Sequence, residues 1–262
     1  EKASESGYTM MLFNTNHSLA SERKTIEMLK AKGVDGIILS TASQDDPNIA
    51  LLEELEIPFV LVNRVVLDPM TASQIDSVTL DNYGGSFKAA EHLCRLGHDR
   101  IAVIAGDLNS STAIMRTRGT KDAFKKYGIE FREDWFIEGG YSKDNAFLAS
   151  QDLLSRKGRP TAILAQDDNM ALGVREAAFE TGLTIPEDLA LVGFNDIHIS
   201  SLTGIELTTV SQNQHSMGLT CAGMLISKLQ QASLPGVRNN VVMETELVVR
   251  TSCGYHLKGY VR

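Results

Sequence analysis

The sequence predicts an α/β fold in which parallel sheets carry helices on both faces. Three observations lead there. Short apolar runs alternate with stretches of helical spacing along nearly the whole chain. Runs such as IAVIA (101–105) and LALVGF (189–194) are apolar almost throughout, as strands buried on both faces are. Polar residues gather directly after these runs, where open parallel sheets bind ligands. About ten strands are expected, which is many for one sheet and suits two.

The elements follow in order. GYTMMLF (7–13) reads as a strand that ends at Asn14. SERKTIEMLKAKG (21–33) has helical spacing through Ile26 and Leu29 and stops at Gly33. VDGIILS (34–40) is a strand, PNIALLEELE (47–56) a short helix, and IPFVLVNR (57–64) and DSVTLDN (76–82) are strands. GGSFKAAEHLCRLG (84–97) is a helix that ends at Gly97, and RIAVIAG (100–106) is the next strand. Helices are expected over 111–127, 142–157, 168–181 and 215–231. The strands WFIEG, TAILA and LALVGF fall between them, and NNVVMETELVVR (239–250) supplies one or two more. GVDGIIL (33–39) and GHDRIAV (97–103) both place Gly, then Asp, then an apolar run after a helix, an internal echo that fits two similar halves.

Composition narrows the function. The net charge of -8 argues against DNA binding by this chain alone, because phosphate contact needs a basic face. No apolar run approaches the ~20 residues of a membrane span, and EKASESGYTMMLF has no secretory-signal pattern. Cys94, Cys221 and Cys253 are odd in number and widely spaced, which reads as reduced core thiols in a cytosolic protein. The histidines His17, His92, His98, His198, His215 and His256 make no metal-ligand spacing, and His98 is placed to serve a helix C-terminus. There is no GxSxG, no GxxxxGK[ST] and no GxGxxG after a strand, so neither a metal nor a cofactor is expected.

The strand ends carry the informative residues. Asp107, Asn109, Ser110, Ser111 and Thr112 follow RIAVIAG. Tyr141 follows WFIEGG, Gln166 and Asp167 follow TAILA, and Asn195 and Asp196 follow LALVGF. Helix capping accounts for Ser111, Ser142 and Asp168. It does not require the doubled polar residues Gln166-Asp167 and Asn195-Asp196. Carboxylates, amides and guanidinium groups engage adjacent hydroxyls in bidentate fashion, and a Tyr ring covers an apolar sugar face. This is an inventory for binding. Asp107 with Asp167 remains open as an acid/base pair.

AAEHLCRLGHDRIAVIAG, STAIMRTRGTKDAF, TAILAQDDNMALG, LALVGFND and LTTVSQNQHSMG come in order. Together they resemble the effector-binding domain of the lactose-repressor (LacI/GalR) family of bacterial transcription regulators, from Gly7 to about Arg250. The resemblance implies two Rossmann-like subdomains with parallel sheets joined by three crossovers, with an effector in the cleft between them. The first would hold 1–80 plus 213–238, and the second 81–212 plus 239–262. Crossovers would fall near Leu80-Asp81, Val210-Gln212 and Arg238-Asn240. The family's effector contacts map onto Arg116 and Thr112, Asp167, Asn195, Gln212 and Tyr141. Each has a plainer reading: Arg116 as a surface helix residue, Tyr141 as packing, Gln212 as hinge support. Asn195 stands where sugar-reading members often have Asp, so its amide both donates and accepts.

The resemblance further implies a cytoplasmic homodimer that binds a small, sugar-like effector and reaches operator DNA through a helix-turn-helix not found in this sequence. The family's first strand, central in its sheet, has no counterpart before EKASESGY. Arg116→Ala is expected to weaken effector binding tenfold to a hundredfold and to leave the core near its original stability. A periplasmic sugar-binding protein of a transport system is the alternative reading, and a sugar-processing enzyme a third.

Overall fold

The computed structural model describes residues 1–16, 18–66, 75–230 and 239–258. The expected crossover at Arg238, the end of the helix expected to reach 231, and His17 lie outside them. Two compact units divide the chain: Glu1–Leu80 with Asn213–Met243, and Asp81–Gln212 with Glu244–Arg262. No helix among the described residues is long and apolar enough to cross a membrane.

The first unit is built on four parallel strands in the order β1 (Ile37–Leu39), β2 (Phe59–Val62), β3 (Ser77–Leu80), β9 (Asn240–Met243). Period-two alternation sends β2's side chains to opposite faces. Phe59 and Leu61 meet Ile26 of α2 (Leu19–Ala31) and Leu52 of α3 (Pro47–Glu54). Val60 and Val62 meet Met217, Cys221 and Leu225 of α8 (Gln214–Leu229). A short α1 (Lys2–Glu5) precedes these.

Two expectations fail in this unit. GYTMMLF is not a strand: Met10 and Leu12 are 77% and 93% exposed. A strand needs a backbone partner, and among the described residues β1 pairs with β2 alone. Residues 239–243 were expected in the second unit. Instead β9 runs parallel to β3, Ser77 opposite Asn240 and Leu80 opposite Met243, so the boundary falls between Met243 and Glu244.

The second unit has the order β5 (Phe136–Glu138), β4 (Ile101–Ala105), β6 (Ala162–Ala165), β7 (Ala190–Val192), all parallel. Ile101, Val103 and Leu164 face α4 (Asn82–Arg95) and α5 (Ser111–Tyr127). Ala102, Ile104 and Ile163 face α6 (Lys143–Ser155) and α7 (Asp168–Glu180). An antiparallel pair, β8 (Thr209–Ser211) with β10 (Glu246–Val248), completes the unit. The chain leaves β4 for β5 on one side and returns to β6 on the other. That reversal is a topological switch point, the place where open sheets bind ligands at their strands' carboxyl ends.

Capping differs from expectation in two places. Ser110, not Ser111, caps α5, and Asp167, not Asp168, caps α7. Asp167 is the residue with extended backbone (φ -159°), and only a non-helical residue can turn its side chain back to the first amides. Ser142 caps α6 as expected. His98 stands just past the C-terminus of α4, where its backbone amide donates to Leu93 O (3.2 Å), and its Nδ1 lies 3.0 Å from Thr161 Oγ1.

Candidate functional site

All six candidate residues lie in the second unit, at or just beyond the carboxyl ends of its strands. They form two groups that share α5. In the first, Tyr141 follows β5 and turns with positive φ (61°), which brings its hydroxyl 2.7 Å from Thr112 Oγ1 and 3.2 Å from Ser110 Oγ. The ring lies where a side chain on Gly106, at the end of β4, would be: a Cβ there would stand 2.2 Å from it.

The second group joins Arg116, Asp167, Asn195 and Gln212. Arg116 lies one turn beyond Thr112 on α5 and is 1% exposed. It is not a surface helix residue. Its Nε donates to Asn82 Oδ1 (2.8 Å), one terminal nitrogen to the Gln166 carbonyl, and the other to Asn195 Oδ1 (3.4 Å). The guanidinium carbon stands 3.6 Å over the Phe194 ring, a close cation–π stack. The Asn195 amide bridges the group. Its Nδ2 donates to Asp167 Oδ2 (2.6 Å), and its Oδ1 accepts from Gln212 as well as Arg116.

Asp167 has a double duty. Its Oδ1 accepts from the backbone amides of Asn169 (2.8 Å) and Met170 (3.2 Å), and Oδ2 faces Asn195. Burial raises its pKa, opposed by the Met170 amide, the Arg116 charge, the Asn169 amide and the Asn195 side chain.

Two residues that looked surplus in the sequence are committed elsewhere. Gln166 accepts from Gly106 N–H (3.1 Å) and donates to Thr117 (2.9 Å), tying β4 and β6 to α5. Asp196 accepts from Arg250 (2.7 Å). Sequence reasoning missed Asn82 and Phe194, the partners that hold Arg116. Both sit at strand ends, so position was a signal for them too.

Asp168 is fully buried, and burial pushes its carboxyl up to about 6, opposed by hydrogen bonds from Thr209, the Ile197 amide and Ser200. A folded-state pKa above the unfolded one means that the folded chain binds the proton more readily. Stability from this group therefore rises as pH falls through about 6 toward 4. Relative to Asp168→Asn, the wild type is expected to gain up to about 1.4 kcal/mol per pH unit in that window. Urea melts of both chains at pH 7, 6 and 5 measure this, and a difference that stays flat contradicts it.

Two parallel α/β units, one carrying a hydrogen-bonded polar cluster at its strand ends, define the type I class of periplasmic-binding-protein-like folds. The model for periplasmic binding proteins and the sugar binding domain of the LacI family matches residues 1–244, and the chain belongs to this family. The repressor PurR of Haemophilus influenzae (strain PittEE) is 29% identical over 248 residues, covering 94% of this chain and 72% of PurR. PurR of Escherichia coli O1:K1 is 31% identical over 226 residues, 86% of this chain and 65% of PurR. Among solved structures, the CelR–cellobiose complex superposes with a TM-score of 0.87 at 30% identity, covering 95% of this chain and 75% of CelR. CcpA of Lactococcus lactis does so with 0.86 at 28%, covering 95% and 89%. The chain thus carries the effector-binding domain of a LacI-family transcriptional regulator, and its relatives are repressors rather than enzymes.

Proposed function

We propose that this chain binds a small, polar, sugar-like ligand through Arg116, Asp167, Asn195, Gln212, Tyr141 and Thr112. Occupancy modulates operator binding by a cytoplasmic homodimer. The observation that carries the reading is the Asn195 bridge. One amide both donates to a carboxylate and accepts from an amide and a guanidinium, so a ligand with adjacent donors and acceptors can replace these bonds one for one. The cellobiose held by CelR supports a sugar-like ligand, and the PurR relatives, helix-turn-helix-type repressors, support operator DNA as the target.

Pairing is supported by the outer face of α7. Leu172 and Phe179 line a depression of about 590 Å³ with Leu183 and Ile185, and Phe179 is 83% exposed. Exposed aromatic surface of this kind favours a protein partner. Sedimentation at tens of micromolar is expected to show a dimer, and a monomer throughout that range overturns this part.

A thermal-shift screen of sugars, sugar phosphates, nucleosides and purines tests the ligand. At a hundredfold excess over Kd a true ligand adds about 2.7 kcal/mol, a shift of several degrees that Asn195→Ala is expected to abolish. A shift that survives in Asn195→Ala, or no shift with any class, contradicts the site.

A further inference from the structure

We propose that Asp168 is the positioning residue of this site: its carboxylate holds the backbone of Asn195 and Asp196 in a strained conformation and so aims the Asn195 amide between Asp167 and Gln212. The inference rests on the ligand-binding reading above and assigns the part that its neighbour plays in it.

Asp168 is not needed to cap α7, because Asp167 does that. Among the described residues, the side-chain hydrogen bonds of Asp168 go instead to the two segments that carry Asn195 and Gln212. Oδ2 accepts from Ile197 N–H (3.0 Å) and Ser200 Oγ (2.9 Å), two and five residues past Asn195. Oδ1 accepts from Thr209 Oγ1 (2.6 Å), three residues before Gln212. The same Thr209 oxygen accepts from Asp196 N–H (3.3 Å), so the carboxylate reaches the strained pair from both sides. The Asp168 backbone amide donates to Phe194 O (2.9 Å), and Asn195 N–H donates to Val210 O (2.9 Å).

The pair needs holding. Asn195 and Asp196 are consecutive non-glycine residues with φ of 116° and 51°. Such backbone persists only where its surroundings over-determine it. Without that turn the Asn195 side chain would leave the line between Asp167 Oδ2 and Gln212. The carboxylate has been given room for this contact: a Cβ on Gly193 would stand 2.1 Å from Asp168 Oδ1. Among the described residues no salt bridge reaches Asp168. The nearby Arg250 pairs with Asp196, so three neutral donors deliver the restraint, fixed in direction by their geometry.

The test uses the unliganded chain with ¹⁵N label and reads the exchange of the Asn195 side-chain amide with water. The signal is identified by its loss in Asn195→Asp. In the wild type it is slowed by its bond to Asp167. In Asp168→Asn the exchange is expected to quicken at least tenfold, while the backbone amides of α7 keep their protection. Thr209→Val, which preserves shape and removes the relay to Asp196, is expected to do the same, and it carries the test alone should Asp168→Asn fail to fold. Ser200→Ala, which leaves the Ile197 and Thr209 bonds to the carboxylate in place, is expected to change exchange less than threefold. An Asn195 amide that stays slow in Asp168→Asn or in a folded Thr209→Val overturns the proposal. So does a joint loss of protection at Asn195 and along α7, which assigns Asp168 to the stability of the unit as a whole. No ligand enters the measurement, so an unchanged Asn195 amide leaves the ligand reading standing, and a failed ligand screen leaves this result standing.

Discussion

Arg116→Ala is expected to weaken effector binding tenfold to a hundredfold and to lower stability by about 2–4 kcal/mol. The affinity term is the loss of charge-assisted contact in a desolvated site, about 1.5–3 kcal/mol. The stability term corrects the reading from sequence, which left the core untouched. A side chain 1% exposed, stacked 3.6 Å over Phe194 and bonded to Asn82 and the Gln166 carbonyl is part of that core. Truncation leaves a cavity and strips two buried acceptors of a charged donor. Calorimetry with a ligand from the screen and urea melts of the free chain separate the two effects. Unchanged affinity removes Arg116 from the site, and an unchanged melt contradicts its burial.

Gly119→Ala is expected to cost about 3 kcal/mol, although alanine is the better helix former by about 1 kcal/mol. A Cβ at 119 would stand 2.2 Å from Tyr83 O and 3.0 Å from Phe87 N, so α5 meets the backbone of α4 with no flexible side chain between to yield. Gly218, on α8, is the control: nothing lies within 4 Å of its Cβ position, and Gly218→Ala is expected to be neutral or stabilising by up to about 1 kcal/mol. If the two substitutions melt alike, helix propensity outweighs packing at Gly119 and the α4–α5 contact is looser than described.

These two residues also mark what the sequence makes legible. Helix and strand runs are local patterns, and most elements fall within a few residues of their expected places. The polar residues at strand ends are legible for the same reason, since they follow directly on apolar runs. What depends on a distant partner is not. Gln166 and Asp196 look available until Gly106, Thr117 and Arg250 claim them. The close approach of the Tyr83 backbone to Gly119 leaves no mark in the sequence of either helix alone. Residues 7–13 have a strand's composition but no pairing, and 239–243 take their place from β3, far away in sequence. Which of two adjacent aspartates caps α7 turns on one backbone angle that no residue type specifies.

The division of the chain has a consequence for the order in which it is made. The four-stranded sheet of the second unit lies within one unbroken stretch, from Ile101 to Val192. It can close while the ribosome is still adding α8. The first unit cannot, because β3 waits for β9, and Ser77 meets Asn240, 163 positions later in the chain. Domains generally fold in the order they emerge, and for the two four-stranded sheets that order is reversed. The sheet begun first closes last, and until then the outer side of β3 is an unpaired edge of apolar strand, the stretch on which a nascent chain of this protein most depends on protection from its neighbours.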